Sequence, residues 1–351
     1  MKDRYKIKVF LTKETLEEIA VFDDIYPNLN HIFRESAVFI LDMTEEELDQ
    51  SIDDTESDFA VFCNSYNIKT IAKPSILNSM LNNKDELIKN CRSLFIMDVN
   101  EQEARKVQEE YGILVLSKRN IDDNIFNQRF WRHYFIKGEK IQGDAISEWI
   151  DTLKNIPWLP TNSLIISDNY LFAGTDSAPL SNCVENIKGL LDAILPHKLK
   201  TDFHILITTR HPSCNEQRRN QIIGEIKSYI QSKREYMIIL EFIFYDSIHQ
   251  RKVITNYNVM VGDKGFINFN NRKKCIIDDN PTYAYTVFQN IKDSIGDTEY
   301  GMTTIDLEYI DKISKMVKKI NENGVKDHTK RILGNCAKDK TVNNRLLASL
   351  L

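Results

Sequence analysis

Two hydrophobic periods alternate along this chain, and their changes divide it into elements. Alternating or continuous apolar runs at Tyr5–Leu11, Ala37–Leu41 and Phe59–Cys63 predict strands. Thr44-Glu-Glu-Glu47 is a capping-box pattern that opens a helix, and Pro74–Leu81 predicts a helix with proline in its first turn. The clearest unit is Ser93–Ser117. Leu94–Met97 is a strand, Asn100-Glu-Gln-Glu103 a second capping box, and Ala104–Tyr111 a helix closed by Gly112. Ile113–Leu116 then returns as a strand. Strand, helix and strand in so short a span predict a parallel pair joined by a crossover.

The middle of the chain changes character. Asn127–Tyr134 and Pro157–Pro160 are aromatic and proline-bearing, which disfavours a continuous helix and places a domain boundary near 140–160. Beyond it, Ser163–Ile166 predicts a buried strand. Asn186–Leu195 has helical spacing, with Ile187, Leu190, Leu191 and Ile194 on one face. Phe203–Thr208 reads as a strand, Gln217–Lys233 as a polar amphipathic helix, and Met237–Tyr245 as a long apolar strand. Lys252–Thr255, Val259–Val261 and Gly265–Phe269 come next at hairpin spacing. Pro281–Ile295 and Thr304–Ile320 predict helices. The pattern describes an α/β chain with a small N-terminal parallel-sheet domain, 1–145, a second α/β domain, 146–300, and a C-terminal helical extension, 301–351.

Composition bounds the function without naming it. A 351-residue chain with 42% hydrophobic residues has material for two cores, and its formal net charge of −5 excludes a chain that is basic overall. No apolar run is long enough for a transmembrane helix, and the first residues lead into a strand instead of a signal-peptide apolar stretch. The six cysteines are scattered without a C-x-x-C pair, so neither a disulfide framework nor a zinc knuckle is expected. Cytoplasm is the expected location, and no cofactor or metal is called for.

His249-Gln-Arg-Lys-Val-Ile-Thr-Asn256 carries the strongest chemical pattern. It comes after a long apolar strand and enters a strand–turn–strand. The segment resembles the H-x-K-x-x-x-x-D signature of the phospholipase D superfamily, with His249 at the histidine position, Arg251 at the lysine position and Asn256 at the aspartate position. Gly262 stands where that family often has a glycine, and Ile165–Tyr170 resembles the strand and turn that open such a domain. The likeness runs from about Ser163 to Phe269. It implies a phospholipase-D-like second domain in which a histidine attacks phosphorus, a cation holds phosphate charge and a carboxylate tunes the histidine.

Two departures turn this expectation from cleavage towards binding. Arginine keeps the lysine's charge but changes reach and geometry, and asparagine lacks the aspartate's charge. A phospholipase-D-like domain reused for binding, as at the C-terminus of some microtubule-interacting-and-trafficking proteins, has a similarly degenerate H-x-R. The expected role is therefore non-catalytic recognition of a phosphodiester-bearing partner, nucleic acid or anionic phospholipid, through Arg251 with Arg210 and His211. The alternatives are a histidine-dependent nuclease or phosphodiesterase and a protein-interaction scaffold. Only one motif copy is found, so a complete catalytic site implies a homodimer or larger assembly, or a second, unrecognised half within the chain.

Other residues compete for attention. Asp42 and Asp98 each end an apolar strand, where paired carboxylates hold Mg²⁺ in PIN-like or Toprim-like nucleases. The simpler reading is that they help start the next helices. His204, His211 and Cys214 offer zinc-ligand types without a matched second pair. Lys312–Arg345 holds ten Lys and Arg against three acidic residues. This surplus suits either a phosphate backbone or a solvated helix surface.

Overall fold

The computed structural model describes residues 6–22, 25–66, 68–118, 132–137, 144–156, 158–172, 180–210, 215–244, 250–270, 274–275, 279–288, 302–322, 331–334, 342 and 344–348. The chain divides into two compact units. One comprises Met1–Arg129 with Val287–Asp311 and Ser349–Leu351; the other comprises Phe130–Thr286 with Lys312–Ala348. No helix among the described residues is long and apolar enough to cross a membrane.

The first unit is built on five parallel strands: β1 (Ile7–Leu11), β2 (Ala37–Leu41), β3 (Thr70–Ala72), β4 (Leu94–Met97) and β5 (Val115–Ser117), in the order β3-β2-β1-β4-β5. Strand β1 pairs with β2 on one side and β4 on the other. Every residue of β2 and β4 is buried, the mark of strands covered on both faces. Phe10 stacks on Phe95 across the β1–β4 pair, with ring centroids 4.8 Å apart.

Helices α1 (Lys13–Val21), α2 (Pro27–Ser36), α3 (Glu45–Asp53), α4 (Asp58–Ser65), α5 (Ile76–Asn82), α6 (Lys84–Lys89) and α7 (Glu101–Tyr111) connect these strands. Both expected capping boxes form. Thr44 and Glu47 exchange bonds at the start of α3, as do Asn100 and Glu103 at the start of α7. Gly112 closes α7 with φ 65°, a left-handed conformation that a side chain would resist.

Phe59–Cys63 is a correction: it lies within helix α4 and is not a strand. A short apolar run fits either element, and the deciding signal is Ser57, whose hydroxyl accepts from the Ala60 N–H to cap the helix. The Pro74–Leu81 helix starts later than expected, at Ile76, after Ser75 adopts a left-handed φ of 59°.

The second unit holds an eight-stranded mixed sheet. Its strands are β6 (Arg132–Lys137), β7 (Ser163–Ser167), β8 (Phe203–Thr209), β9 (Ile238–Phe244), β10 (Lys252–Thr255), β11 (Asn258–Gly262), β14 (Asp279–Thr286) and β15 (Arg331–Gly334). Short strands β12 (Phe269–Asn270) and β13 (Lys274–Cys275) form a separate ribbon. The order is β15-β9-β8-β7-β10-β11-β14-β6. Strands β7, β8 and β9 run parallel, and β10 returns antiparallel to β7.

Helices α8 (Ala145–Leu153), α9 (Leu180–Ile194) and α10 (Glu216–Lys233) contribute to this core, while α11 (Met302–Glu322) and α12 (Arg345–Ala348) come later in the chain. One cluster joins Trp149 and Leu153 of α8, Ile187, Leu190, Leu191 and Ile194 of α9, and Ile222, Ile226 and Ile230 of α10. The inward residues of β7–β9, such as Ile166, Ile207 and Phe242, complete it. Each such side chain contributes about 1.5–3 kcal/mol by leaving water, so this face dominates the unit's stability.

Three expectations for this unit are corrected. Pro281–Ile295 does not begin as a helix, because Asp279–Thr286 is a strand between β11 and β6. Its Tyr and Thr content suits a pleated neighbour better than the proline-led helix reading. Arg132–Tyr134, part of the aromatic stretch for which no element was expected, belongs to the edge strand β6. Gly265–Phe269 is a turn with only its last residue in a strand, since Gly265 has φ 100°. The remainder of 281–295, from 289 onward, lies outside the described residues.

The amino edge of the second sheet is tied to the chain's C-terminal end. Asn344 Nδ2 donates to the Leu164 carbonyl at 3.0 Å, and Arg345 Nη1 donates to the Asp202 carbonyl at 2.6 Å. Arg345 also pairs with the Asp202 carboxylate. The hydrogen bond from His204 Nε2, 3.2 Å away, and then Arg345 hold the Asp202 carboxyl well below its ordinary range. The C-terminal region thus supplies an edge strand, β15, and this docking turn as well as helix.

Candidate functional site

The carboxyl ends of β7 and β8 and the start of β10 meet at one edge of the second sheet. The chain winds outward through β7, β8 and β9, then returns to the other flank of β7 with β10. Ligands of open α/β sheets bind outside the strand ends where the winding reverses. Lys252 stands opposite Ser167 in the β10–β7 pair. Arg251, one residue before, therefore lies beside Asp168, one residue beyond β7. Thr208 stands opposite Ser167 on the other flank, which brings Thr209 and Arg210 to the same edge.

Asp168 organises this edge from beneath. It is fully buried, and its carboxylate accepts from the Tyr170 N–H at 2.8 Å and the Phe266 N–H at 3.0 Å. Its own N–H donates to the Thr208 carbonyl at 3.1 Å. Burial raises the Asp168 carboxyl above its ordinary value, opposed by those two N–H donors and by the charge of Arg251. Raised affinity for a proton means that ionised Asp168 costs the fold stability at neutral pH, a cost removed as pH falls. Asp168 ties two turns together and lies close enough to Arg251 for their charges to interact.

Arg251 is the cation. Its Nη1 donates to the Asp263 carbonyl, and its guanidinium carbon lies 5.3 Å from the centre of the Tyr170 ring. Gly265 closes over the pair: a Cβ there would sit 2.6 Å from Asp168 Oδ2 and 3.5 Å from Arg251 Cδ. Three buried polar atoms at this edge lack a hydrogen-bond partner among the described residues: Arg251 Nε, Asn169 Oδ1 and Thr209 Oγ1. Such atoms are uncommon in a folded protein, and these three lie near one strand edge.

The segment after Gly265 is fixed by a second buried device. Asn186 on α9 accepts through Oδ1 from the N–H groups of Asn268 and Phe269, each at 3.1 Å, and from Trp149 Nε1 at 3.0 Å. Its Nδ2 donates to the carbonyls of Asn182 at 2.8 Å and Phe269 at 2.7 Å. Every hydrogen-bonding position of this amide is in use, so the turn carrying Gly265 and Phe266 leads into a clamped segment.

The structure brings together only part of the sequence-expected site. Arg251 and Arg210 share the carboxyl edge, and Arg210 is exposed. Asn256 does not join them. It lies past the far end of β10, five residues of extended chain or about 16 Å from Arg251. There it is fully buried, with Oδ1 3.1 Å from Thr161 Oγ1 and Nδ2 donating to Asn162 Oδ1 at 3.2 Å. His249, His211 and Cys214 lie outside the described residues, and His204 sits at the opposite edge of the sheet with Asp202.

Asp42 has a use other than metal binding. Its two oxygens accept from the Ile76 and Leu77 N–H groups at 3.2 and 3.3 Å, so it caps α5, not the helix directly after it in the chain. Among the described residues no group of three or more His, Cys, Asp or Glu is placed to hold a metal ion. Asp168 and Tyr170 stand at the same edge as Arg251, and the sequence pattern did not single them out. The signal was available, since Asp168 ends an apolar strand as Asp42 and Asp98 do.

No protein-family model matches the chain, and no curated protein matches it. Among solved structures, one similar chain is TrmBL2, an archaeal chromatin protein described as showing a novel mode of DNA binding. The two share 10% identity over 76% of this chain and 70% of that one, with a TM-score of 0.24. A likeness of that degree defines no common fold.

Proposed function

We propose that the carboxyl edge of the second sheet binds a phosphate-bearing partner without cleaving it, as a degenerate phospholipase-D-like site. The observation that supports this reading is the guanidinium of Arg251, held by the Asp263 carbonyl at a winding reversal beside Asp168, with the exposed Arg210 on the next strand end. A planar guanidinium suits the oxygens of a phosphodiester, and a cation held in place loses little freedom on binding. The binding role is favoured over catalysis by Asn256. An amide committed to Thr161 and Asn162 at the other end of the strand neither charges nor orients an imidazole near Arg251.

Fluorescence anisotropy with a labelled oligonucleotide, across a salt series, tests the reading. Arg251→Ala and Arg210→Ala are each expected to weaken binding by about tenfold and to reduce the salt slope by about one phosphate contact. Arg251→Lys, which keeps the charge beside Asp168, separates lost recognition from lost stability and should retain the salt slope. A triple Lys312, Lys315 and Lys318→Ala variant should bind as the parent does. Affinity unchanged in both arginine variants, or lost only with the tail lysines, would overturn the proposal.

A further inference from the structure

The geometry points to Tyr170 as a stacking platform that makes this edge selective for unpaired nucleobases. This rests on the phosphate-binding reading and narrows it to single-stranded nucleic acid. Tyr170 is fixed from two sides. Its N–H is held by Asp168 at 2.8 Å, which sets the turn, and Arg251 lies against its ring at 5.3 Å. The residue is nevertheless 47% exposed. A buried scaffold thus presents an aromatic ring to solvent beside a guanidinium. The exposed part of the ring leaves room for a base to stack on Tyr170 while Arg251 holds a phosphate of the same strand.

A lipid partner fits the same surface less well. Membrane-surface binding inserts a group of aliphatic and aromatic side chains alongside the charges. Of the exposed large hydrophobic residues described in the second unit, Ile150 lies on α8 and Met237 precedes β9 at the opposite sheet edge, which leaves Tyr170 alone at this one. A single aromatic ring is what a base needs and less than a bilayer requires. A duplex is also excluded as the preferred form, because its base faces are already stacked.

The test compares four probes on the full chain: a single-stranded oligodeoxynucleotide, an abasic strand of the same length, inorganic polyphosphate, and vesicles of phosphatidylserine and phosphatidylcholine. The base-bearing strand should bind about tenfold tighter than the abasic one, the loss expected when one stacking contact is removed. Tyr170→Ala should erase that difference, and Tyr170→Phe should preserve it. Equal binding of base-bearing and abasic strands, both weakened by Arg251→Ala, would overturn the stacking role and leave the phosphate reading standing. Vesicle binding stronger than strand binding would also overturn it. If Arg251→Ala changes none of the four affinities, the phosphate reading falls and the stacking role with it.

Discussion

Replacing Asn186 with alanine is expected to destabilise the second unit by about 4 kcal/mol, because it removes the acceptor of three buried donors at once. Trp149 Nε1 and the N–H groups of Asn268 and Phe269 share one oxygen, Asn186 Oδ1. An alanine methyl offers them nothing in its place, in a core formed by Trp149, Ile187 and Phe269. Asn186→Asp keeps the shape yet is expected to fare no better, since its second oxygen would face the carbonyls of Asn182 and Phe269. Urea unfolding read by tryptophan fluorescence measures the effect as a lowered midpoint at unchanged slope. A loss below about 1 kcal/mol would mean that the buried amide does not clamp these segments.

Gly265→Ala is expected to cost about 3 kcal/mol and to weaken ligand binding as well. At φ 100° an L side chain is strained, and the added Cβ meets Asp168 Oδ2 at 2.6 Å, closer than two such atoms approach. Either the carboxylate moves, breaking its bond from the Phe266 N–H, or the turn opens and the Arg251 side chain loses its cover. Unfolding gives the first effect and anisotropy with the oligonucleotide the second. Binding that survives intact while stability falls would separate the turn from the site. If neither changes, the tight closure over Asp168 is refuted.

Much of the fold was legible because local signals agreed. The capping boxes at Thr44 and Asn100, the left-handed Gly112 and the buried runs at Ala37–Leu41, Ser163–Ile166 and Phe203–Thr208 each have one physical reading, and each forms as expected. The failures came where the deciding partner is remote or the local cue was overlooked. Strand β14 is defined by pairing with β11 and with β6, the latter about 140 residues earlier, which no window of sequence contains. Helix α4 turned on one serine hydroxyl.

The site was half legible for a related reason. A cation two residues after His249 drew attention to Arg251, and the placement of Arg251 beside Asp168 comes from strand register. The same spacing suggested that Asn256 belongs with it, but a strand carries residues apart at about 3.3 Å each, so a motif spanning β10 is split between its two ends. Tyr170 was hidden because its role depends on a guanidinium some eighty residues further along the chain.

The central claim is that phosphate binds at the carboxyl edge of the second sheet. A crystal of the full chain grown without sulfate or phosphate and soaked with tungstate tests it most directly, since tungstate mimics phosphate and scatters anomalously. The account predicts an anomalous peak within hydrogen-bond reach of the Arg251 guanidinium, on the side of Tyr170 and Arg210, that vanishes in Arg251→Ala. Tungstate bound only along Lys312–Arg345, with the Arg251 edge empty, would contradict it.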